Sequence, residues 1–309
     1  MKIYLNNPNE SWVVDRFRSE WYQGNKDIST KSILLSDIIW LIAPWTWRKI
    51  SNKNLSKKKV VCTIHHIDFD KFDSKEKASF YEREKYVDIY HAISPKTAEQ
   101  LKRLTNKNIF TLPFWVNQNL WFEIKNKKKI REKYNFKIND YLIGSFQRDT
   151  EGHDLTSPKL SKGPDLFVSA VLNLYESNKN IKVVLTGKRR QYVINKLNYY
   201  GIPFYYFDMV DFGSLNELYN CLDLYIVSSR VEGGPQALLE CGLTKTPVIS
   251  TDVGLASLIL SPDSIVESNN FHYATPNTKI SYENSMNYTI PNWYKNYREM
   301  FNNLLCKSV

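Results

Sequence analysis

The chain has 309 residues, 42% of them hydrophobic, which suffices to bury a sizeable core and to build two domains. Its longest wholly apolar stretch, Ile38 to Pro44, is far shorter than the roughly 20 residues of a membrane-spanning helix, and Met1 to Tyr4 carry no signal-peptide pattern, so a cytoplasmic protein is expected. Cys62, Cys221, Cys241 and Cys306 lie too far apart for a zinc knuckle or a disulfide framework and are expected to be buried, reduced thiols, while a net charge of +10 favours an anionic partner: a nucleotide diphosphate, an anionic membrane or a nucleic acid.

In chain order, Lys2–Leu5, Ser32–Leu35, Asp37–Ile42, Lys59–His65, Asp88–Ser94 and Asn108–Leu112 read as strands, being short β-branched or aromatic runs. Helical patterns fall between them at Ser11–Tyr22, Ser74–Tyr86 and Pro95–Leu104, the last with Ser94 as N-cap and Pro95 in the first turn. The lysine-rich passage Lys125–Lys129 reads as a surface connection or short helix. The alternation then restarts. Tyr141–Phe146, Ile181–Thr186, Pro203–Phe207, Asp223–Val227 and Pro247–Ser250 read as strands, Gly163–Tyr175 and Gln191–Tyr199 as helices, and Ser214 to Glu217 as a capping box opening a further helix. Two βα sets imply two parallel sheets with a cleft between them, and the chemistry is expected in loops that follow strands.

The most informative segment runs from Ser228 to Glu240, SSRVEGGPQALLE, followed from Thr246 by TPVISTDVG. It reads as strand, glycine turn, helix and strand. Gly233 and Gly234 let the backbone approach a ligand closely, and Pro235 starts a helix whose free amides favour phosphate. Glu232 in the turn and Glu240 on the helix, the latter on the face of Gln236, can grip different hydroxyls of one extended ligand. These residues resemble the retaining GT-B glycosyltransferases of the large group-1 family, whose signature is two glutamates separated by seven residues. The resemblance implies an α/β GT-B fold of two facing Rossmann-like domains: 1–120 for the acceptor, 121–290 for a nucleotide-sugar donor, and a helix within 291–309 crossing back to the first domain. It implies further that Glu240 bonds the donor ribose, while Glu232 and the amides of Gly233, Gly234, Gln236 and Ala237, with Pro235 among them, address the sugar and diphosphate. The plain alternative is two surface charges on an ordinary Rossmann helix.

A second element begins with Gly144 to Arg148 after a strand and ends with Lys162 to Asp165 at a helix start. In the resembled family an arginine and a lysine so placed bind the donor diphosphate; two fixed cations and a helix N-terminus would neutralise charge developing on the leaving group. Here Arg148 and Lys162 stand fourteen apart, wider than the family's usual spacing, because 149–161 adds a polar loop, which either folds over the ligand or is a plain insertion. Thr186, Gly187 and Lys188, and Val210 and Asp211, match positions that contact the nucleobase in the family; ordinary tight turns are the other reading.

In the N-terminal half, His65 and His66 end a strand where many members of the family carry a histidine near the transferred sugar; either one touches sugar or acceptor, or it is a packed core histidine. No third ligand stands at metal-binding spacing, and Asp68-Phe69-Asp70 is too short a match to count as a metal motif. Instead of the family's glycine-rich loop after the first strand, the chain offers Asn6 to Ser11, so any phosphate contact there falls to Asn9, Ser11 or their amides. The basic and aromatic stretch of Trp45, Trp47, Arg48 and Lys49, with Lys53 and Lys57 to Lys59, either recruits the protein to an anionic membrane face bearing a lipid-linked acceptor or is an exposed basic loop.

The resemblance thus implies a metal-independent, retaining transfer from a nucleotide-diphosphate sugar, UDP- or GDP-linked, to a glycan or lipid-linked hydroxyl, with no cofactor. Rival readings are an inverting GT-B transferase, a sugar-nucleotide epimerase, or a non-enzymatic basic binder of membrane or nucleic acid. Nucleic acid is disfavoured because no recognised binding module is present, and a nicotinamide dehydrogenase because no GxGxxG follows a strand.

Overall fold

A computed structural model describes residues 1–10, 13–266 and 270–306. The chain forms two compact units: Met1–Trp115 together with Pro291–Val309, and Val116–Ile290. Among the described residues no helix is long and apolar enough to cross a membrane.

The first unit alternates β1 (Ile3–Leu5), α1 (Val13–Gly24), β2 (Ile38–Leu41), α2 (Asn52–Lys57), β3 (Lys59–Ile64), α3 (Ser74–Glu84), β4 (Ile89–Ala92), α4 (Pro95–Lys102) and β5 (Ile109–Thr111). Its sheet is wholly parallel in the order β1-β2-β3-β4-β5. Strand alternation sends neighbouring residues to opposite faces: Ile39, Leu41, Val60 and Cys62 join one core cluster with Leu55, Phe80 and Leu101 of α2, α3 and α4, whereas Trp40 meets Trp21 of α1. Helix α4 starts on Ser94, whose side chain accepts from the Thr97 amide. The Ser32–Leu35 strand does not form. Leu34 and Leu35 are exposed, so the run has no neighbour to bury it, and apolar character alone does not make a strand.

The second unit continues with α5 (Lys127–Lys133), β6 (Tyr141–Ser145), α6 (Pro164–Ser177), β7 (Ile181–Thr186), α7 (Gln191–Tyr199), β8 (Phe204–Phe207), α8 (Phe212–Cys221), β9 (Leu224–Val227), α9 (Gln236–Thr244), β10 (Val248–Thr251), α10 (Ala256–Ile259), β11 (Ile265–Val266) and α11 (Thr278–Met286). Its parallel sheet has the order β11-β10-β9-β6-β7-β8. One face packs Ile143, Val183 and Ile226 against α6 and α7 through Phe167, Val171 and Leu197. The other packs Leu142, Val184 and Tyr225 against α5, α8 and α9 through Ile130, Leu218 and Leu239. The lysine-rich connection is anchored helix: Arg131 is buried against Asp223 at 2.5 Å.

Helix α12 (Tyr294–Cys306) closes the chain and belongs to the first unit. Tyr297 and Phe301 are fully buried and lie against Trp40 at 5.4 and 5.2 Å between ring centroids. Burying each aromatic contributes on the order of 2 kcal/mol. Arg298 adds a two-pronged contact to Asp27 at 2.8 and 2.9 Å. Cys306, at the helix end, is exposed, unlike the buried Cys62, Cys221 and Cys241.

Candidate functional site

Strand order locates the site. In the second unit the chain leaves β6 toward β7 and β8, then returns to β9 and continues to β10 and β11 on the other side. The connections after β6 and β9 therefore diverge and leave a crevice at the carboxyl ends of these adjacent strands, the place where open α/β sheets bind ligands. The first sheet runs in chain order without such a reversal.

Two glycines let the loops at this crevice approach each other. Gly163 has φ 59°, and a Cβ on it would stand 1.8 Å from the Ser228 carbonyl oxygen. Gly254 has φ 51°, and its Cβ would meet the Gly233 oxygen at 2.3 Å. Both positions call for glycine sterically as well as conformationally. Gln147 Nε2 donates to the Lys162 carbonyl at 2.9 Å, and Ser229 Oγ donates to Gln147 Oε1 at 3.2 Å. The amides of Arg230 and Val231 both donate to the Ser161 carbonyl at 2.8 and 3.0 Å. Thr251 Oγ1 ties the Ser229 carbonyl to β10 at 2.5 Å. This stitching brings Lys162 and Glu232, seventy residues apart, into an ion pair. Burial, with the positive Lys159 and Arg148 nearby, pushes the Lys162 ammonium down to about 7; the Glu232 carboxylate beside it acts in the opposite sense.

Arg148 is half-buried, and its Nε donates to the Thr150 carbonyl at 3.0 Å. Desolvation and the nearby Arg189 lower its pKa. The residues on either side are pinned by Arg190, which donates to the Gln147 carbonyl through Nη1 and to Asp149 Oδ2 through Nε at 3.0 Å. Arg190 and Asp149 are buried, and desolvation pushes Asp149 up to about 6, against the pull of Arg190. The inserted segment 149–161 is a closed hairpin with a bridge between Thr150 and Pro158 and a Glu151-to-Ser157 bond of 3.0 Å. At its tip Asp154 accepts from the Ser157 hydroxyl and the Thr156 and Ser157 amides, which hold its pKa at about 2.

Glu232, Gly233, Gly234 and Pro235 lead directly into α9, with Gln236 and Ala237 in its first turn and Pro235 at the N-cap. Glu240 is buried and accepts from the Tyr219 hydroxyl at 2.9 Å, and Tyr219 is raised well above its ordinary pKa, mainly by burial. The Gly187 amide, at φ 90°, donates to the carbonyls of Phe207 and Asp208 at 3.2 and 3.1 Å, so it is engaged within the fold. Lys188 beside it is exposed and Val210 is half-buried. Asp211 is the N-cap of α8: its side chain accepts from the Ser214 amide at 2.7 Å. The helix thus begins before Ser214, which becomes an interior first-turn residue, and Glu217 instead receives Lys133 and Tyr134, each at 2.6 Å. The aspartate wins because its carboxylate reaches a first-turn amide from an extended backbone.

In the first unit His65 is half-buried, with Nε2 at 2.8 Å from the Ile42 carbonyl and rings of Trp45 and Phe114 beside it. Burial lowers its pKa. His66 is exposed. A third histidine, His91, is wholly buried: Trp40 Nε1 donates to Thr63 Oγ1 at 2.8 Å, Thr63 bonds His91 Nδ1 at 2.9 Å, and His91 Nε2 reaches the Leu112 carbonyl at 2.7 Å. The chain of donors sets this ring as a neutral Nε2–H tautomer, and burial holds its pKa at about 3. The Asn9 amide is turned to Asp15 at 3.3 Å, where it serves its own helix entry; Ser11 lies outside the described residues. Trp47 is core, so of the two tryptophans expected in a surface patch only Trp45 is exposed, and its Nε1 donates to Glu10 at 2.7 Å.

Gln147 lies inside the segment from Gly144 to Arg148 but had no role in the sequence reading, which also missed Tyr219, Arg190 and Asp149. Arg190 and Asp149 stand 41 residues apart and nothing local announces their contact. Tyr219 could have been found as the aromatic one helix before Glu240.

Residues 155–274 match the family model described as glycosyl transferases group 1, a span that holds Lys162, Glu232 and Glu240 and stops short of Arg148. Among solved structures, Anabaena HepE in complex with UDP-glucose aligns with a TM-score of 0.76 at 12% identity, over 98% of this chain and 99% of that one. Sucrose-phosphate synthase from Thermosynechococcus elongatus aligns at 0.69 and 14% identity, over 98% and 81%. TarM of S. aureus, as a mutant in complex with fondaparinux, alpha-GlcNAc-glycerol and UDP, aligns at 0.64 and 15% identity, over 94% and 59%. No curated protein matches the sequence. The fold is GT-B, with two Rossmann-like domains built on parallel sheets.

Proposed function

We propose that this chain, which carries a group 1 glycosyltransferase domain in its second unit, transfers a sugar from a nucleotide-diphosphate sugar to an acceptor hydroxyl. One observation carries the reading: Lys162, Glu232 and the start of α9 converge at the β6/β9 switch point, beside the pinned Arg148. Two cations and a helix N-terminus suit a diphosphate. Lys162 and Arg148 take up negative charge as the bond between the anomeric carbon and the diphosphate oxygen breaks, without a metal. Glu240 bonds the donor ribose and Glu232 the sugar. The acceptor oxygen attacks the anomeric carbon on the face the leaving group departs from, its proton passes to a phosphate oxygen, and configuration is retained. HepE and TarM, as solved with UDP, favour a UDP-linked donor, and a glycan or lipid-linked acceptor fits the same reading. His65 or His66 contacts sugar or acceptor. Gly187, Lys188, Val210 and Asp211 lie near the base, the amide of Gly187 excepted.

A thermal-shift panel of UDP, GDP, ADP, TDP and their sugars, with and without EDTA, tests this. A nucleotide at a hundred times its Kd adds about 2.7 kcal/mol, roughly 5–10 °C for a unit of this size. The shift survives EDTA and is lost in Glu240→Ala. With donor and acceptor in hand, Arg148→Ala and Lys162→Ala chiefly lower kcat, and unchanged turnover in both refutes their role. The anomeric configuration of the product, read by NMR, checks retention.

A further inference from the structure

A cavity opens at one end of the first sheet. Asp37, Lys59 and Asp88 stand at the starts of β2, β3 and β4, and the cavity, of about 770 Å³, lies around them, at the end of the sheet opposite the loops that carry His65 and His66. Five lysines, Lys57, Lys58, Lys59, Lys85 and Lys107, stand in its wall. The two acids are already engaged: Asp88 pairs with Lys59 at 3.3 Å and accepts from the Val60 amide at 2.7 Å, and Asp37 accepts from the Lys2 amide at 2.7 Å.

Four further ammonium groups line the cavity, and among the described residues none of them has a carboxylate partner. Lys58 is held by the Leu34 and Ser36 carbonyls at 3.1 and 2.5 Å. Lys107 is held by the Glu84 and Val87 carbonyls. A carbonyl orients an ammonium and leaves its charge uncompensated. Lys57 and Lys85 complete the ring from the exposed rim. Solvated surface lysines ordinarily spread apart, since like charges repel. Here four converge on one concavity, two of them with fixed direction, where the summed field is focused.

We propose that this cavity is a second anion site, separate from the nucleotide crevice of the other unit, and that it takes a phosphate-bearing polyanion. Ammonium groups bind phosphate as point charges, and several around one cavity suit a ligand with more than one charged oxygen. The phosphate comes either from a soluble compound or from the headgroup of an anionic lipid.

The test uses the full chain and the variant Lys57→Glu/Lys85→Glu, whose two sites are exposed and leave the fold intact, as an unchanged thermal midpoint verifies. Inorganic pyrophosphate is titrated by calorimetry with the nucleotide crevice saturated by UDP. Separately, the protein is sedimented with phosphatidylglycerol vesicles and with phosphatidylcholine vesicles. Pyrophosphate binding at least tenfold weaker in the variant assigns a soluble ligand. Sedimentation with phosphatidylglycerol alone, lost in the variant and in 0.3 M salt, assigns a lipid headgroup. Wild type that binds neither probe, or a variant that binds both as wild type does, overturns the proposal.

Discussion

Replacing Arg190 by methionine isolates how the second unit holds Arg148 in place. Methionine keeps the aliphatic volume and removes a guanidinium that is 1% exposed, together with its bonds to Asp149 and the Gln147 carbonyl. Asp149, itself buried, then has to remain charged without its partner or take up a proton. Removing one member of a buried pair costs about 3–5 kcal/mol, which lowers the melting of a unit this size by roughly 10 °C. The pH dependence follows from Asp149. Its folded pKa of about 6 exceeds the ordinary carboxylate value, so in wild type the stability gained from its protonation is present below pH 4 and is lost between about 4 and 6. Without Arg190 the folded pKa rises further, the loss continues through neutrality, and the gap between wild type and variant opens above pH 6. Scanning calorimetry from pH 5 to 8 reads this, and Arg190→Met/Asp149→Asn should recover a large part of the loss because no charge is left buried. Equal melting of the single and double variants, or a gap independent of pH, would refute the reasoning.

Gly254→Ala drives a Cβ into the Gly233 oxygen at 2.3 Å from a left-handed backbone; strain and overpacking together cost about 2–4 kcal/mol, and on the proposed reading, in which Gly233 addresses the donor, UDP-glucose binding weakens with them. An alanine variant that melts and binds as wild type does would show that the two loops are not in contact. On the proposed reading Lys162 meets the donor diphosphate as its ammonium form, and with its pKa lowered to about 7 by burial that form declines as pH rises. Affinity for UDP-glucose, whose diphosphate is fully ionised throughout, should therefore be level below pH 7 and fall by up to tenfold per unit above it. In Lys162→Met the slope disappears; a flat wild-type profile from pH 7 to 9 would place the Lys162 value higher.

The sequence by itself determined most of the βα alternation. β-Branched runs and caps are local, so Ile181–Thr186 and Gln191–Tyr199 form over the residues their patterns predict, and Ser94 caps α4 through an amide three residues away. The turn through Glu232, Gly233 and Gly234 into a helix that starts after Pro235 was legible because proline suits the first positions of a helix. Where two local signals compete, as at Asp211 and Ser214, the capping-box pattern pointed to Ser214 and the structure uses Asp211. Ser32–Leu35 failed because a strand requires a neighbour, which no short window can supply. Only the tertiary structure decided that the β6/β9 reversal makes a crevice, that Lys162 meets Glu232 across seventy residues, and that Arg190 holds the Gln147 carbonyl and the Asp149 carboxylate on either side of Arg148. Likewise, only packing sent Trp47 inward and gathered the lysines of three separate turns around one cavity. Such contacts depend on strand order and loop closure, and these are properties of the whole folded unit that no sequence window contains.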